Sequence, residues 1–281
     1  MPSLLSRVKS KISALPVEYQ YKNYESFQQA LEDSNSYEDP RLIEVVKEKT
    51  RRYRDALANG SRPAIATRQM AQNMFVLSYV EPQRAVNVLE IGGACGASYF
   101  ETQLMLPGRI RHWSIVETPA MAAAGRSLTD DPNLSFHSDF AAATTQLESR
   151  DLAIAQGALQ YAGDPVQMLK ELFALGLSYV YVTRTAVANV DRPVFTKQET
   201  DLAAHGPGTL PNAPSDKSSQ PLTLVSRDAL VSAVPANYEI VFNFDESEER
   251  TLSVDTRRVL VREVGFLCAT EEAKKGYIHS K

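Results

Sequence analysis

The sequence predicts an α/β protein with a mostly parallel, seven-stranded sheet, an antiparallel pair of strands at one edge and an N-terminal helical cap. From about residue 84, short apolar runs alternate with amphipathic segments in strand–helix units, a pattern typical of a doubly wound parallel sheet. Near the C-terminus, two β-prone segments at 238–244 and 257–269 follow each other without a helix between them. This succession indicates an antiparallel pair at the sheet edge.

Composition narrows the class of protein. A chain of 281 residues with 43% hydrophobic residues is compatible with one enlarged α/β domain. No apolar run reaches the roughly 18 residues of a membrane span, and a net charge of −4 argues against a nucleic-acid partner. Two isolated cysteines, Cys95 and Cys268, exclude a disulfide framework and a zinc site, and they favour a cytoplasmic location. The oligomeric state, a homodimer included, is left open.

Residues 1–83 are predicted to form the helical cap. Apolar residues recur at helical spacing over 4–15, a second helix begins with Asp39 as N-cap, and a third covers 64–79. Tyr21 lies in a tyrosine-rich stretch that is either ordinary packing or a lid over a pocket. Arg68, just before the core, is a candidate to reach a ligand from the cap.

Residues 84–281 are predicted to form the catalytic domain. Its first five strands are expected at 86–91, 113–116, 134–137, 151–155 and 178–183. Helices are expected between these strands, and Asp164 and Ser226 are predicted N-caps of two later helices. Residues 184–225 are rich in proline and glycine, and we expect an irregular insertion there, either functional or flexible.

A glycine loop follows the first of these strands, in the sequence VLEIGGACG at 88–96. No register of residues 92–98 gives the G-x-G-x-x-G pattern of a dinucleotide site. A carboxylate at the strand end, Glu90, also fits a pyrophosphate badly and suits a cationic ligand. S-adenosylmethionine carries an ammonium group and is such a ligand. The loop candidates for binding it are Glu90, Gly92, Gly93, Gly96 and Ser98.

Polar residues also end the next three strands. Glu117 is placed to accept the hydroxyls of a ribose, Ser138, Asp139 and Phe140 to lie near an adenine, and Gln156 and Gly157 to border the same cleft. Taken singly, each has an ordinary explanation, such as a solvated strand end or, for Asp139, a helix N-cap. Their order along the chain favours a nucleoside-containing ligand at the carboxyl edge of the sheet.

The stretches VLEIGGACGASYF (88–100), WSIVETPAMAAAG (113–125), FHSDF (136–140) and QGALQYAGDP (156–165) resemble class I S-adenosylmethionine-dependent methyltransferases. YVTRT (181–185) and VGFLCA (264–269) extend the resemblance. More narrowly, the chain resembles bacterial methyltransferases encoded among surface-polysaccharide and natural-product genes. The resemblance implies a Rossmann-like fold with S-adenosylmethionine as cofactor, but it implies no substrate. The sequence departs from the family's acidic-x-G-x-G-x-G pattern, because Ala94 replaces the middle glycine and Gly93 is extra.

Acceptor-side candidates follow the fourth and fifth strands. Gln160 and Tyr161 are candidate catalytic residues, with a helix-entry turn as the plain alternative. Arg184 and Thr185 are candidate substrate ligands, with a surface ion pair as the alternative for the arginine. His205, in a glycine-rich loop, is a candidate general base or a solvated histidine.

The leading functional hypothesis is methyl transfer to oxygen or nitrogen of a small polar acceptor. The first alternative keeps the cofactor but transfers or cyclises its aminocarboxypropyl arm, which releases methylthioadenosine. The second is a non-catalytic scaffold that retains the cofactor fold. A nicotinamide oxidoreductase is disfavoured by the missing dinucleotide pattern.

Overall fold

The computed structural model describes residues 20–61, 67–80, 82, 84–212 and 214–274, and the side chains of residues 20 and 67–70 lie outside that description. The helix predicted over 4–15 lies outside the described residues. The strands are β1 (Gln20–Tyr21), β2 (Val86–Ile91), β3 (Ile110–Val116), β4 (Leu134–His137), β5 (Leu152–Gln156), β6 (Tyr179–Ala188), β7 (Val194–Asp201), β8 (Lys217–Leu224), β9 (Tyr238–Asp245), β10 (Arg250–Val254) and β11 (Arg257–Thr270). The helices are α1 (Phe27–Glu32), α2 (Pro40–Ala58), α3 (Thr67–Tyr79), α4 (Ala97–Met105), α5 (Pro119–Arg126), α6 (Phe140–Thr144), α7 (Pro165–Ala174) and α8 (Arg227–Val231).

The main sheet contains the predicted parallel core and antiparallel edge. Strands β4, β3, β2, β5 and β6 are parallel neighbours in that order, and β11 continues the sheet antiparallel to β6. β9 pairs antiparallel with β11, as predicted for the two C-terminal segments. The order in which strands are added reverses between β2 and β5, and this creates a crevice at their carboxyl ends, where open α/β sheets bind ligands. The Rossmann-like fold class is confirmed.

Helices cover both faces of this sheet because its central strands are apolar on both sides. One face packs against α6, α7 and α8 through residues that include Ala143, Leu169 and Leu230. The other face packs against α3, α4 and α5 through residues that include Leu77, Tyr99 and Ala122. Burial on both faces explains the nearly continuous apolar runs of β2 and β5.

Local signals for helix starts are confirmed by side-chain caps. The Asp39 carboxylate accepts the Arg41 N–H ahead of Pro40, and the Asp164 carboxylate accepts the N–H groups of Val166 and Gln167. Ser226 caps α8 in the same way. None of the described helices is long and apolar enough to cross a membrane.

The sheet is larger than predicted, and part of the cap is not helical. Among the described residues, nine strands belong to it and not seven, because β10 and β1 extend the edge beyond β11. β1 lies in the region predicted as a purely helical cap and pairs parallel with β10. The sequence predicts an acidic turn at 245–249 and no element at 250–254, so β10 was missed.

The insertion predicted to be irregular at 184–225 is mostly ordered β-structure. β7 and β8 form an antiparallel hairpin along eight paired positions. Pro221 lies inside β8, where it is paired opposite Lys197, and β8 has no other strand neighbour in the described part. The proline content therefore misled the prediction, because a proline is tolerated on an edge strand.

Candidate functional site

A cavity of about 1160 Å³ lies at the carboxyl edge of β2, β3, β4 and β5 and extends toward the hairpin. Ten of the eleven cofactor candidates line it. They are Glu90, Gly92, Gly93, Ser98, Glu117, Ser138, Asp139, Phe140, Gln156 and Gly157. The remaining one, Gly96, begins α4 with φ +88°, and a Cβ there would lie 3.3 Å from Leu134 and Phe136 side chains. Gly96 therefore permits helix–sheet packing and does not line the cavity.

The glycine loop brings bare backbone to the cavity wall. Gly92 has φ +71°, and a Cβ on it would lie 2.7 Å from the Ala158 Cβ. A Cβ on Gly93 would lie 2.6 Å from Oε2 of Glu90. Ala94 adopts a left-handed conformation with φ +49°, so the loop accommodates alanine where the family pattern has glycine.

Glu90 is a buried carboxyl group at the end of β2. It is 1% exposed and accepts a hydrogen bond of 2.8 Å from the indole N–H of Trp113 on β3. Burial raises the pKa of Glu90 from 4.5 to about 7, although hydrogen bonds from Trp113 and Ser98 act in the opposite direction. A positive ligand group in the cavity would favour its ionised form.

Glu117 follows β3 and is fixed by backbone donors. Its carboxylate accepts the Ala94 N–H at 2.8 Å and the Thr118 N–H at 3.0 Å. Burial raises its pKa above the ordinary value despite these bonds. Since two oxygens offer about four acceptor sites, the carboxylate retains capacity for hydroxyl donors from a ligand.

The ends of β4 and β5 provide the next part of the wall. Asp139 caps α6 by accepting the Ala142 N–H at 2.7 Å, so the helix-cap alternative is observed, although Asp139 also lines the cavity. Oε1 of Gln156 is buried and has no hydrogen-bond partner in the described structure. Gly157 adopts φ +62° and turns the chain beside Arg184. The unsatisfied Gln156 oxygen marks a place for a ligand donor.

Gln160 and Tyr161 lie in a short turn after β5 and line the cavity. The amide nitrogen of Gln160 donates to the Arg184 carbonyl at 3.2 Å, while its Oε1 is buried without a partner among the described residues. The Tyr161 hydroxyl donates to Oε1 of Gln198 at 3.0 Å, and this bond links the cavity to the hairpin.

His205 approaches the same space from the loop after β7. Its ring lies edge-on to Tyr37 with centroids 6.2 Å apart, and its Nε2 is buried without a hydrogen-bond partner in the described part. Burial, and secondarily the charge of Lys49, lower the pKa of His205 below its ordinary value of 6.5. The imidazole is therefore neutral near pH 7, the state required of a base.

The structure places two of the four substrate candidates in the cavity wall. Arg184 and Tyr21 line the cavity. Thr185 does not, since it is 1% exposed and paired with Val264 inside β6. The prediction that Arg184 and Thr185 follow the strand is wrong, because β6 extends to Ala188 through its pairing with β11. The side chain of Arg68, in α3, lies outside the described residues.

Several cavity residues had no distinctive sequence signal. Tyr37 contacts Tyr161 edge-on at a centroid distance of 5.0 Å. From α2, Tyr53 donates a 2.7 Å hydrogen bond to Glu101 of α4, and burial raises the pKa of Glu101. The helical spacing of Tyr53 predicts burial, but only the packing of α2 on α4 directs it to the cavity.

Metal and thiol chemistry find no support in the described part of the chain. No group of three metal-binding side chains occurs among the described residues. Cys95 is buried in the glycine loop, and burial raises the pKa of its thiol to about 12. Cys95 therefore acts as a small packing residue of the loop.

No family model matches the sequence, and the search of curated proteins also finds no match. Among solved structures, the N-terminal domain of EvdMO1 with SAH bound is 16% identical, with 74% of this chain and 83% of that chain covered and a TM-score of 0.45. The [4+2]-cyclase SpnF is 13% identical, with 72% and 80% covered and a TM-score of 0.43. An S-adenosylmethionine-dependent methyltransferase from Clostridium acetobutylicum is 8% identical, with 77% and 95% covered and a TM-score of 0.41. At these low identities and TM-scores, the sheet order and the cavity carry the functional argument.

Proposed function

We propose that the protein is an S-adenosylmethionine-dependent methyltransferase that acts on oxygen or nitrogen of a small acceptor. One observation carries the proposal. Glu90 and Glu117, at the carboxyl ends of neighbouring strands, face the same cavity on either side of a loop of bare glycine backbone.

The residues present fit this cofactor. The buried carboxyl of Glu90 suits its ammonium group, and the fixed carboxylate of Glu117 suits two ribose hydroxyls. Gly92 and Gly93 allow the loop backbone to pass close to Ala158 and Glu90 at the cavity wall, and the buried Oε1 of Gln156, which has no partner among the described residues, can accept from a ligand donor. A dinucleotide fits less well, because Glu90 would face a pyrophosphate.

When bound, the cofactor supplies an electrophilic methyl carbon on a sulfonium. The chain must then orient an acceptor and, where needed, take its proton. His205 is placed to do so, since its neutral imidazole has a buried, unpartnered Nε2 in the cavity wall. Gln160 and Tyr161 are proposed to position the acceptor atom through the free amide oxygen and the phenol.

We further propose that the protein acts in the cytoplasm on a small molecule rather than on nucleic acid. The net charge of −4 and the two isolated cysteines support this, as does the recessed position of the candidate residues. α2 and the hairpin line the cavity and supply walls that exclude water from the reacting groups.

Calorimetric titration with S-adenosylmethionine and, separately, NAD tests the cofactor. We expect binding of S-adenosylmethionine alone, with at least a tenfold loss in Glu117→Ala because a charged hydrogen-bond acceptor is removed. Glu249→Gln, an exposed residue away from the cavity, is the matched control. No binding of S-adenosylmethionine, or full affinity in Glu117→Ala, would contradict the proposal.

Product analysis then separates the alternatives. Adenosylhomocysteine supports methyl transfer, and methylthioadenosine supports reaction of the aminocarboxypropyl arm. Binding without turnover of any acceptor supports the scaffold.

A further inference from the structure

The cavity continues past the cofactor candidates into a second lobe between the main sheet and the hairpin. We call it the acceptor lobe and define it by Ala186, Leu222, Leu224, Leu252 and Val261. Each of these five side chains is less than 9% exposed. The lobe is thus lined by aliphatic groups from β6, β8, β10 and β11.

The strand register explains why these side chains meet. Pairing of Glu263 with Ala186 and of Arg250 with Val261 places these four side chains on one face of the main sheet. On the hairpin, pairing of Thr196 with Leu222 and of Val194 with Leu224 aligns one face in the same way. The residues contributed by β8 and β10 come from the hairpin and from the added edge of the main sheet.

A wholly polar acceptor suits this lobe poorly. Hydroxyl groups buried against five aliphatic side chains would lose their water without gaining hydrogen bonds. Buried hydrogen-bonding atoms without a partner among the described residues lie instead at Gln160 and His205, elsewhere in the cavity lining.

Two charged side chains also line the cavity beside the lobe residues. Arg250 pairs opposite Val261, and Glu263 pairs opposite Ala186. Neither side chain forms a hydrogen bond or an ion pair with another residue that the structure describes. A guanidinium and a carboxylate that have no partner among the described residues can each pair with an oppositely charged group of a ligand.

We propose that the acceptor is amphiphilic: an apolar body, for which an aromatic ring is the probe, occupies the acceptor lobe, and a charged group lies at Arg250 and Glu263. The inference rests on the proposed methyltransferase function and narrows its substrate class. The nucleophilic oxygen or nitrogen then lies at Gln160 and His205.

Matched ligand pairs test the proposal on the protein saturated with adenosylhomocysteine. Tyrosine, tyramine and 3-(4-hydroxyphenyl)propionate each carry a hydroxyl, a ring and a charged group. Serine, ethanolamine and 3-hydroxypropionate keep the hydroxyl and the charged group without the ring. We expect the ring-containing member of each pair to bind at least a hundredfold more tightly in calorimetry, because each two apolar carbons contribute about tenfold. Equal affinity within the pairs, or binding of neither member, overturns the proposal.

Substitutions test whether the preference for ring-containing ligands arises in the acceptor lobe. Ala186→Leu fills the lobe and is expected to weaken the ring-containing ligands at least tenfold without changing affinity for adenosylhomocysteine. Leu260→Gln, on the opposite and exposed face of β11, is the matched control and should change neither. Arg250→Gln should selectively weaken binding of 3-(4-hydroxyphenyl)propionate. Glu263→Gln should selectively weaken binding of tyramine.

Failure of the amphiphilic acceptor and failure of the proposed function give different results. Adenosylhomocysteine affinity also verifies that each variant is folded. If the parent protein binds no adenosylhomocysteine, the proposed function fails, and titration of the unloaded protein with the same pairs still decides the preference of the lobe. If adenosylhomocysteine binds but ring-containing ligands have no advantage, only the amphiphilic acceptor is refuted.

Discussion

Replacing Glu90 by glutamine should stabilise the protein above neutral pH and should weaken binding of S-adenosylmethionine. The folded-state pKa of Glu90 is raised from 4.5 to about 7 by burial, so the folded protein holds a proton that the unfolded chain releases. The stabilising contribution of Glu90 is therefore fully present below pH 4.5 and is lost as the pH rises through 7. At roughly 1.4 kcal/mol per unit of pKa, the shift amounts to about 3 kcal/mol. Glutamine avoids this loss and keeps an oxygen that accepts from Trp113.

Urea denaturation at pH 5 and pH 8 measures the effect. Trp113 is the single tryptophan of the chain and donates to Glu90, so its fluorescence reports both unfolding and the state of this site. We expect the variant to gain as much as about 3 kcal/mol over the parent at pH 8, with a much smaller gain at pH 5. Glu249→Gln should follow the parent at both pH values. If the free energy of unfolding changed in the same way with pH in the parent and in Glu90→Gln, the raised pKa assigned to buried Glu90 would be refuted.

Three further outcomes follow from the same geometry. Gly93→Ala should weaken binding of S-adenosylmethionine at least tenfold in calorimetry, because its Cβ would lie 2.6 Å from Glu90 Oε2; the exposed Glu249→Gln variant should bind it like the parent. Cofactor binding at pH 7 should release up to about half a proton as Glu90 ionises, measured from binding enthalpies in buffers of different ionisation heat; equal enthalpies would contradict it. His205→Asn should lower kcat by about 10²–10⁴ and abolish an acidic limb whose midpoint lies below pH 6.5, while adenosylhomocysteine affinity stays unchanged; a kcat within threefold of the parent would exclude His205 as the base.

The cofactor half of the cavity was largely predictable because its signals are local. The apolar run at Val86–Ile91 ends at glycines, and the structure gives β2 these same bounds. In a parallel sheet, the carboxyl ends of neighbouring strands meet at one edge. Finding Glu90 and Glu117 at those ends was therefore enough to place both beside one cavity.

The acceptor half was not predictable because it depends on pairings distant in sequence. β6 continues past Thr183 only because β11, some 80 residues later, pairs with it, and Arg184 takes φ +53° within the strand. The Thr183 hydroxyl and the Arg184 N–H both donate to the Glu246 carboxylate. No window of sequence around Arg184 contains these partners.

The two halves also differ in how they affect stability. Three carboxyl groups of the cavity, those of Glu90, Glu101 and Glu117, have pKa values raised by burial. Their ionisation opposes folding, whereas the aliphatic side chains of the acceptor lobe favour it. A ligand with an ammonium and a sulfonium relieves this opposition because it stabilises the ionised carboxylates. Stabilisation by S-adenosylmethionine should therefore grow as the pH rises through 7, whereas an uncharged ligand confined to the acceptor lobe should stabilise the protein equally at each pH.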